Sequence, residues 1–238
     1  NFRRALKECR GEYIAICEGD DFWIGHNKLA TQVGFLEAHD DCTITSSGYT
    51  VVKDGNKVED VLYHNLHNSE NHFSYELKDL LDEWYTKTLT IVFRNGLLEE
   101  EVIENYKHFK DIHLVYHVLK RGYGYYFSTI FGAYRRHPGG VYSTNVGPVN
   151  KEVHFRCSEE MYITNRDNFT RRRLVRHTFE LLNSFIYESN RRVSVWEMLR
   201  AMARALFLVR TIHEATLLGK AIFPEAIKTR LKKYLHQD

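Results

Sequence analysis

The alternation of apolar and polar positions divides this 238-residue chain into two regimes. Up to residue 147, short strand-like runs alternate with segments of helical period; beyond it only the helical period remains. In the first regime, Asn1–Arg10 predicts a helix closed by Gly11, a residue type suited to follow a helix end. Tyr13–Cys17 predicts a short buried strand that runs into a polar loop, Glu18–His26. Lys28–Ala38 sets Leu29, Val33 and Leu36 on one face, with Ala30 and Phe35 beside them, and predicts an amphipathic helix. Cys42–Lys53 and Lys57–Leu62 flank Asp54-Gly55-Asn56, a hairpin signal. Ser74–Trp84 predicts a helix, Thr88–Arg94 a strand, and Asn95–Glu104 and Asp111–Arg121 two further helices. Tyr125–Ser128 and Ile130–Arg136 complete the strands.

After Pro148 the expected helices are Lys151–Ile163, Phe169–Ser189, Val195–Leu218 and Pro224–His236. The third opens on Ser194-Val195-Trp196-Glu197, a capping box in which serine and glutamate satisfy each other's backbone amides. The pattern implies an α/β part over 1–147, a mixed sheet flanked by helices, and an all-helical C-terminal extension over 148–238.

Composition narrows the class. Hydrophobic residues make up 43% and aromatics 13%, enough for a packed core and too much for a disordered chain. The net charge of +2 hides a split. Residues 1–150 hold 16 Lys/Arg against 21 Asp/Glu, and residues 151–238 hold 17 against 10. An acidic part is thus followed by a basic one, whose Arg171-Arg172-Arg173 and Arg176 read as a solvated helix face that can meet an anionic surface. Val195–Leu218 reads as packed core. Cys9, Cys17, Cys42 and Cys157 lack metal-ligand spacing, and Cys17 falls in the apolar strand, so a reducing, cytoplasmic chain is expected. No signal peptide and no bilayer-length apolar run is visible, and the start without methionine reads as a fragment. Bases are not interleaved with stacking aromatics, which argues against nucleic acid. His64, His67 and His72 lie in a polar stretch without zinc spacing and read as a solvated loop.

The chemistry concentrates where the first strand ends. Glu18, Asp20 and Asp21 fall within four residues, directly before Phe22-Trp23. Crowded carboxylates repel one another unless a cation joins them, and ligands of α/β sheets gather beyond strand carboxyl ends. Mg²⁺ or Mn²⁺, held by one or two carboxylates plus substrate phosphates, suits such a place.

Glu18-Gly19-Asp20-Asp21-Phe22-Trp23, preceded by Gly11-Glu12-Tyr13-Ile14-Ala15 and followed by Lys28-Leu29 and Gln32-Val33-Gly34-Phe35-Leu36-Glu37, resembles the family 2 glycosyltransferases of the GT-A fold. Asn1 resembles the asparagine that opens the preceding helix in that family, and His26 stands where many relatives have proline. The resemblance covers about 140 residues and implies a Rossmann-like sheet without its first strands. It implies Asp21 and Asp20 as metal ligands, and Glu18 and Asp20 on the donor diphosphate or ribose. Thr88-Leu89-Thr90-Ile91-Val92-Phe93-Arg94 resembles the family's acceptor-side strand, which puts Thr88, Thr90 and Trp23 on that side. Lys110-Asp111-Ile112-His113-Leu114 resembles the segment carrying the catalytic base, here Asp111, at a helix start that favours its ionised form. Tyr134-Arg135-Arg136-His137-Pro138-Gly139-Gly140 resembles the family's loop near the diphosphate, with His137 able to complete the metal shell and Arg135 and Arg136 facing phosphate.

The implied activity is metal-dependent, inverting transfer of a sugar from a nucleotide-diphosphate sugar to an acceptor hydroxyl, as in polysaccharide or glycolipid synthesis. The implied partners are that donor and a saccharide or lipid-linked acceptor, with peripheral contact at the inner face of a membrane through the basic helices. Without the upstream nucleotide-binding strands, residues 1–238 alone are expected to be inactive. Two other readings stay open at this point: a non-catalytic glycan- or partner-binding module of the same fold, and a nucleotidyltransferase.

Overall fold

The computed structural model describes residues 2–53, 56–58, 72–139, 148–187, 203 and 207–210. Two compact units are present, Asn1–Thr144 and Asn145–Asp238.

The first unit is mixed α/β, a curled mixed sheet flanked by helices. Its elements are α1 (Phe2–Glu8), β1 (Tyr13–Ala15), β2 (Phe22–Trp23), α2 (Lys28–Ala38), β3 (Cys42–Lys53), β4 (Asn56–Val58), β5 (Phe73–Tyr75), β6 (Val92–Arg94), α3 (Glu100–Glu104), α4 (Asp111–Leu119) and β7 (Tyr123–Arg136). Two 3₁₀ turns, Leu77–Leu81 and Thr88–Thr90, interrupt the second half. The strand order is β1-β6-β3-β7-β2, with β4 added to β3 and β5 to β7. Among the described residues only the central β3–β7 pair is parallel.

The long β3 shows why central strands lack clean alternation. It is buried without interruption from Cys42 to Gly48, because both of its faces are covered. Its hydroxyls are absorbed internally: Thr45 Oγ1 donates to the Val92 carbonyl (3.3 Å), and Ser46 Oγ pairs with Tyr75 OH (3.2 Å). The Tyr125–Ser128 and Ile130–Arg136 strands of the sequence pattern are one strand, β7, and the gap between them is a local irregularity. Ser47 faces Phe127 but Gly48 faces Ile130, so β7 carries extra residues there and bends. Its second half then pairs with β2, Phe22 opposite Ala133 and Trp23 opposite Gly132.

Helix α2 has the expected bounds but a different buried face. Lys28, Gln32 and Leu36 are enclosed, whereas Leu29 is 44% exposed. Lys28 Nζ donates to Gln32 Oε1 (2.6 Å), and Gln32 Nε2 donates to Thr45 Oγ1 (3.2 Å) and the Thr90 carbonyl (2.9 Å). Hydrogen-bond satisfaction makes this polar stripe tolerable inside. Leu36 meets Cys42 and Val92 in an apolar cluster edged by Tyr13, Val33 and Phe35. Arg94 fastens the helix end, donating to the carbonyls of Cys42 (3.0 Å), Leu36 and His39 (3.3 Å). That puts its charge at the negative end of α2.

Other expectations shift. Ser74–Trp84 becomes β5 and a 3₁₀ turn, because Phe73 and Tyr75 pair with Tyr126 and Gly124 on β7. Thr88–Arg94 is a 3₁₀ turn followed by a three-residue strand. Asn95–Glu104 starts as a turn: Asn95 Nδ2 holds the Gly11 and Cys9 carbonyls (2.7 and 3.3 Å), and Gly96 takes a positive φ of 81°. Cys17 is exposed and lies beyond the end of β1. His72 is exposed, its Nδ1 accepting from the Ser128 amide (3.1 Å).

The second unit contains α5 (Pro148–Asn165) and α6 (Asn168–Tyr187). Asp167 caps α6, accepting from the Thr170 amide and hydroxyl (2.9 Å each). Leu174, Val175, Phe179, Leu182 and Leu208 form its core. The arginine cluster is not the plain solvated face expected: Arg171 is 6% exposed and donates to the Leu208 carbonyl (2.8 Å), and Arg176 pairs with Glu180 (3.0 Å). Among the described residues no helix is long and apolar enough to cross a membrane. Asn1, the Asp54-Gly55 turn, the Lys57–Leu62 strand beyond Val58, His64, His67, the Ser194 capping box, most of Val195–Leu218 and all of Pro224–His236 lie outside the described residues.

Candidate functional site

Beyond β1 the chain passes Glu18 and tightens into a turn in which the Asp21 amide donates to the Glu18 carbonyl (3.0 Å). β2 follows at once and pairs with the far half of β7. That pairing brings the Arg135 amide to Asp21 Oδ1 (2.9 Å) and His137 Nε2 to Asp20 Oδ2 (3.1 Å). The acidic turn and the segment Arg135–His137 are thus joined by two hydrogen bonds across more than a hundred residues of sequence.

The electrostatics of the turn are uneven. His137's hydrogen bond holds the Asp20 carboxyl below its usual range. Asp21, only 9% exposed, is pushed up, chiefly by burial and then by Asp20, against the pull of the Arg135 amide. Glu18 keeps an exposed side, yet loss of water around its carboxyl and then the Asp21 charge raise it, with Asp111 and Asp20 adding and Lys87 opposing. Four carboxylates therefore share one electrostatic neighbourhood, and Asp111 at the start of α4 belongs to it. Asp111 Oδ1 accepts from the Ile112 amide (2.8 Å), and the Lys110 amide donates to His113 Nδ1 (3.0 Å). Those two contacts fix the helix start.

Lys87 was not singled out by sequence. Burial pulls its amine below the usual value, while Glu18, Asp21 and Asp111 hold it charged. Its Nζ sits 3.7 Å from the centre of the Tyr134 ring and 5.9 Å from that of Tyr49. The only hint was its place directly before Thr88. The Thr88–Thr90 turn closes on it: the Thr90 hydroxyl, fully enclosed, donates to the Lys87 carbonyl (2.7 Å). Thr88 is 9% exposed. Trp23 Nε1 donates to the Leu89 carbonyl (2.9 Å), and Lys28 Nζ lies 4.7 Å over the indole. Gly132 makes room for this turn, since a Cβ there would come within 2.4 Å of Leu89 Cδ1.

Comparison with known proteins adds little. No family model matches the chain. A 58-residue stretch is 43% identical to proteins of Mycobacterium tuberculosis (strain ATCC 25618 / H37Rv) and Mycobacterium bovis (strain ATCC BAA-935 / AF2122/97), both described as uncharacterized. That stretch covers 24% of this chain and 17% of each relative, so the chain spans under a fifth of their length.

The Arg135 side chain is exposed, with its guanidinium 5.5 Å from the centre of the Phe22 ring. Arg136 is also exposed, and its charge acts on Lys87. Whether these groups fit a divalent ion turns on Asp21. Its Oδ2 is buried and lacks a hydrogen-bond partner, while Oδ1 is already occupied. An orphaned carboxylate oxygen among three other carboxylates is a donor set for a hard cation. Asp20, Asp21 and His137 do not bring three ligand atoms within 4.8 Å. Mg²⁺-type binding does not require such a cluster, since one or two protein carboxylates suffice and phosphate and water complete the shell. Asp21 and Asp20 fit this role; His137 acts in this geometry as the partner that orients Asp20.

Proposed function

We propose that the first unit is the catalytic part of a family 2-like glycosyltransferase of GT-A type, moving a sugar with inversion from a nucleotide-diphosphate sugar to an acceptor hydroxyl. The observation that carries this reading is the buried, unpartnered Asp21 Oδ2, set in one electrostatic neighbourhood with Asp20, Asp111 and Lys87. In this reading Asp111 takes the acceptor hydroxyl's proton while that oxygen forms its bond to the anomeric carbon. The bond from that carbon to the diphosphate oxygen breaks, and its electron pair leaves with the diphosphate. Attack from the opposite face inverts the centre. When bound, Mg²⁺ or Mn²⁺ at Asp21 and Asp20 supplies the positive charge that stabilises the departing diphosphate. Lys87 adds a partly desolvated cation, Arg135 and Arg136 screen phosphate from the rim, and His137 fixes the Asp20 carboxylate. Trp23 and Thr88 line the acceptor side, and the enclosed Thr90 shapes the turn beneath them. The acceptor is a saccharide or lipid-linked saccharide, met in the cytoplasm or at the inner face of a membrane.

Asp111→Asn tests the reading. Sugar transfer should fall by about 10²–10⁴-fold, with Mn²⁺-dependent donor binding retained, since a positioned base contributes roughly that much and its amide cannot accept a proton. Absence of transfer by the wild type across a broad donor panel, with glycan binding intact, makes the fold a binding module instead. Release of pyrophosphate rather than a nucleoside diphosphate identifies a nucleotidyltransferase.

A further inference from the structure

The second unit holds a side-chain cluster that the proposed transfer reaction does not use. His154 on α5 and His177 and Glu180 on α6 bring one ligand atom each to within 4.8 Å of one another, and among the described residues this is the one group of three that does so. The His154 and His177 rings lie 5.4 Å apart, and His177 Nε2 stands 4.0 Å from Glu180 Oε2. Ligand atoms of a tetrahedral zinc ion, at bonds of about 2.0–2.1 Å, are roughly 3.4 Å apart. The cluster is therefore open by less than about 1.5 Å, within reach of small side-chain rotations.

Both ends of the cluster are supported. His177 Nδ1 is paired with Ser158 Oγ (2.6 Å), which fixes the ring and leaves Nε2 toward Glu180. Glu180 Oε1 accepts from Arg176 Nε (3.0 Å), which turns Oε2 toward His177. Such outer contacts, with the second nitrogen of a histidine bonded and the carboxylate held, accompany metal-ligating residues. His177 is 6% exposed, so its ring is held in place by the packing of the two helices. His154 and Glu180 are half-buried, so an ion can enter. The Ser158–His177–Glu180 series is not a nucleophile arrangement, because Ser158 is fully enclosed and no substrate can reach its hydroxyl.

We propose that His154, His177 and Glu180 form a zinc site, completed by water, that ties α5 to α6. Two imidazoles and one carboxylate suit Zn²⁺ better than the oxygen-seeking Mg²⁺ or Mn²⁺ proposed for the acidic turn. The site is independent of the glycosyltransferase reading and survives its failure.

The test uses the protein stripped with chelator and titrated with Zn²⁺ by calorimetry, and separately with Co²⁺ by visible absorption. One Zn²⁺ should bind with a dependence on all three residues: His154→Ala and Glu180→Gln each weaken it at least about tenfold, and Ser158→Ala weakens it by roughly 10–100-fold. Co²⁺ should show the intense visible bands of a tetrahedral site in the wild type and lose them in the variants. Zn²⁺ should slow hydrogen exchange in α5 and α6 of the wild type alone. His177→Ala removes a buried ring and can fail to fold; His154→Ala and Glu180→Gln, at half-exposed positions, carry the decision. Absence of stoichiometric Zn²⁺ binding, or binding unchanged in both of these variants, overturns the proposal.

Discussion

Replacing Lys28 by methionine isolates the cost of a cation inside the first unit. Lys28 is 1% exposed, donates to Gln32 Oε1 at 2.6 Å and lies over the Trp23 ring. Burial brings its amine down from 10.5 to about 8. At 1.36 kcal/mol per pKa unit, keeping it charged when folded costs about 3 kcal/mol. The folded value lies below the unfolded one, so between about pH 8 and 10.5 the unfolded chain binds more protons and wild-type stability rises with pH. Lys28→Met lacks that rise. The stability difference between the two proteins should move in favour of wild type by about 2.5 kcal/mol from about pH 7 to about pH 10. Near pH 7 the relieved charge, about 3 kcal/mol, offsets the roughly 1–3 kcal/mol cost of leaving Gln32 Oε1 without its donor. The variant should therefore be at least as stable there. Urea unfolding across this range, followed by hydrogen exchange in peptides of α2 and β3, reads the first unit specifically. Parallel pH curves for the two proteins would refute the argument, because a buried charge cannot be removed without removing its titration.

Three further outcomes are expected. Gly132→Ala should destabilise the first unit by about 1–3 kcal/mol through overlap with buried Leu89, read as a lower urea midpoint; an unchanged midpoint contradicts that packing. Arg94→Met should cost about 1–3 kcal/mol by taking the charged donor from the Cys42 and Leu36 carbonyls, the second of which keeps the His39 amide, with faster hydrogen exchange at the end of α2 than at its start. His137→Ala should raise the Asp20 carboxyl toward its ordinary value in an NMR titration. Because His137 holds that carboxyl low, the small stabilisation it lends is present above the unfolded value and lost as pH falls through the folded one. A wild-type Asp20 titrating no lower than in the variant removes the hydrogen bond from the account.

The helices were readable where one apolar face decides them. The bounds of α2 match its periodicity and Leu36 is buried as expected, yet the burial of Lys28 and Gln32 beside it could not be foreseen, because it depends on acceptors for Gln32 at Thr45 of β3 and the Thr90 carbonyl. Strands were less readable. The pairing of Phe73–Tyr75 with β7 overrode a local helical pattern, and the split in β7 reflects an irregularity opposite Ser47 and Gly48 that has no signature beyond the exposed Thr129. Glu18, Asp20 and Asp21 announce themselves by adjacency. Lys87 does not: a lone lysine carries no pattern, and the carboxylates around it, Glu18, Asp21 and Asp111, come from distant parts of the sequence. The trio His154, His177 and Glu180 was equally silent, since two of its members are three apart and the third is on another helix.

The link between Asp21 and the Arg135 amide spans 114 positions of sequence. At roughly 5–20 residues per second of synthesis, the acidic turn leaves the ribosome about 6–23 seconds before the strand that satisfies it. The parallel β3–β7 pair, whose partners are 81 positions apart at Cys42–Tyr123 and 83 at Lys53–Arg136, waits for a shorter but similar time, and non-local pairing of that kind is slow to form. During that interval β3 presents an unpaired edge to solvent or to a chaperone. Slowing or stalling translation between Lys53 and Tyr123 should therefore lower the soluble yield of this chain far more than an equal pause after Arg136.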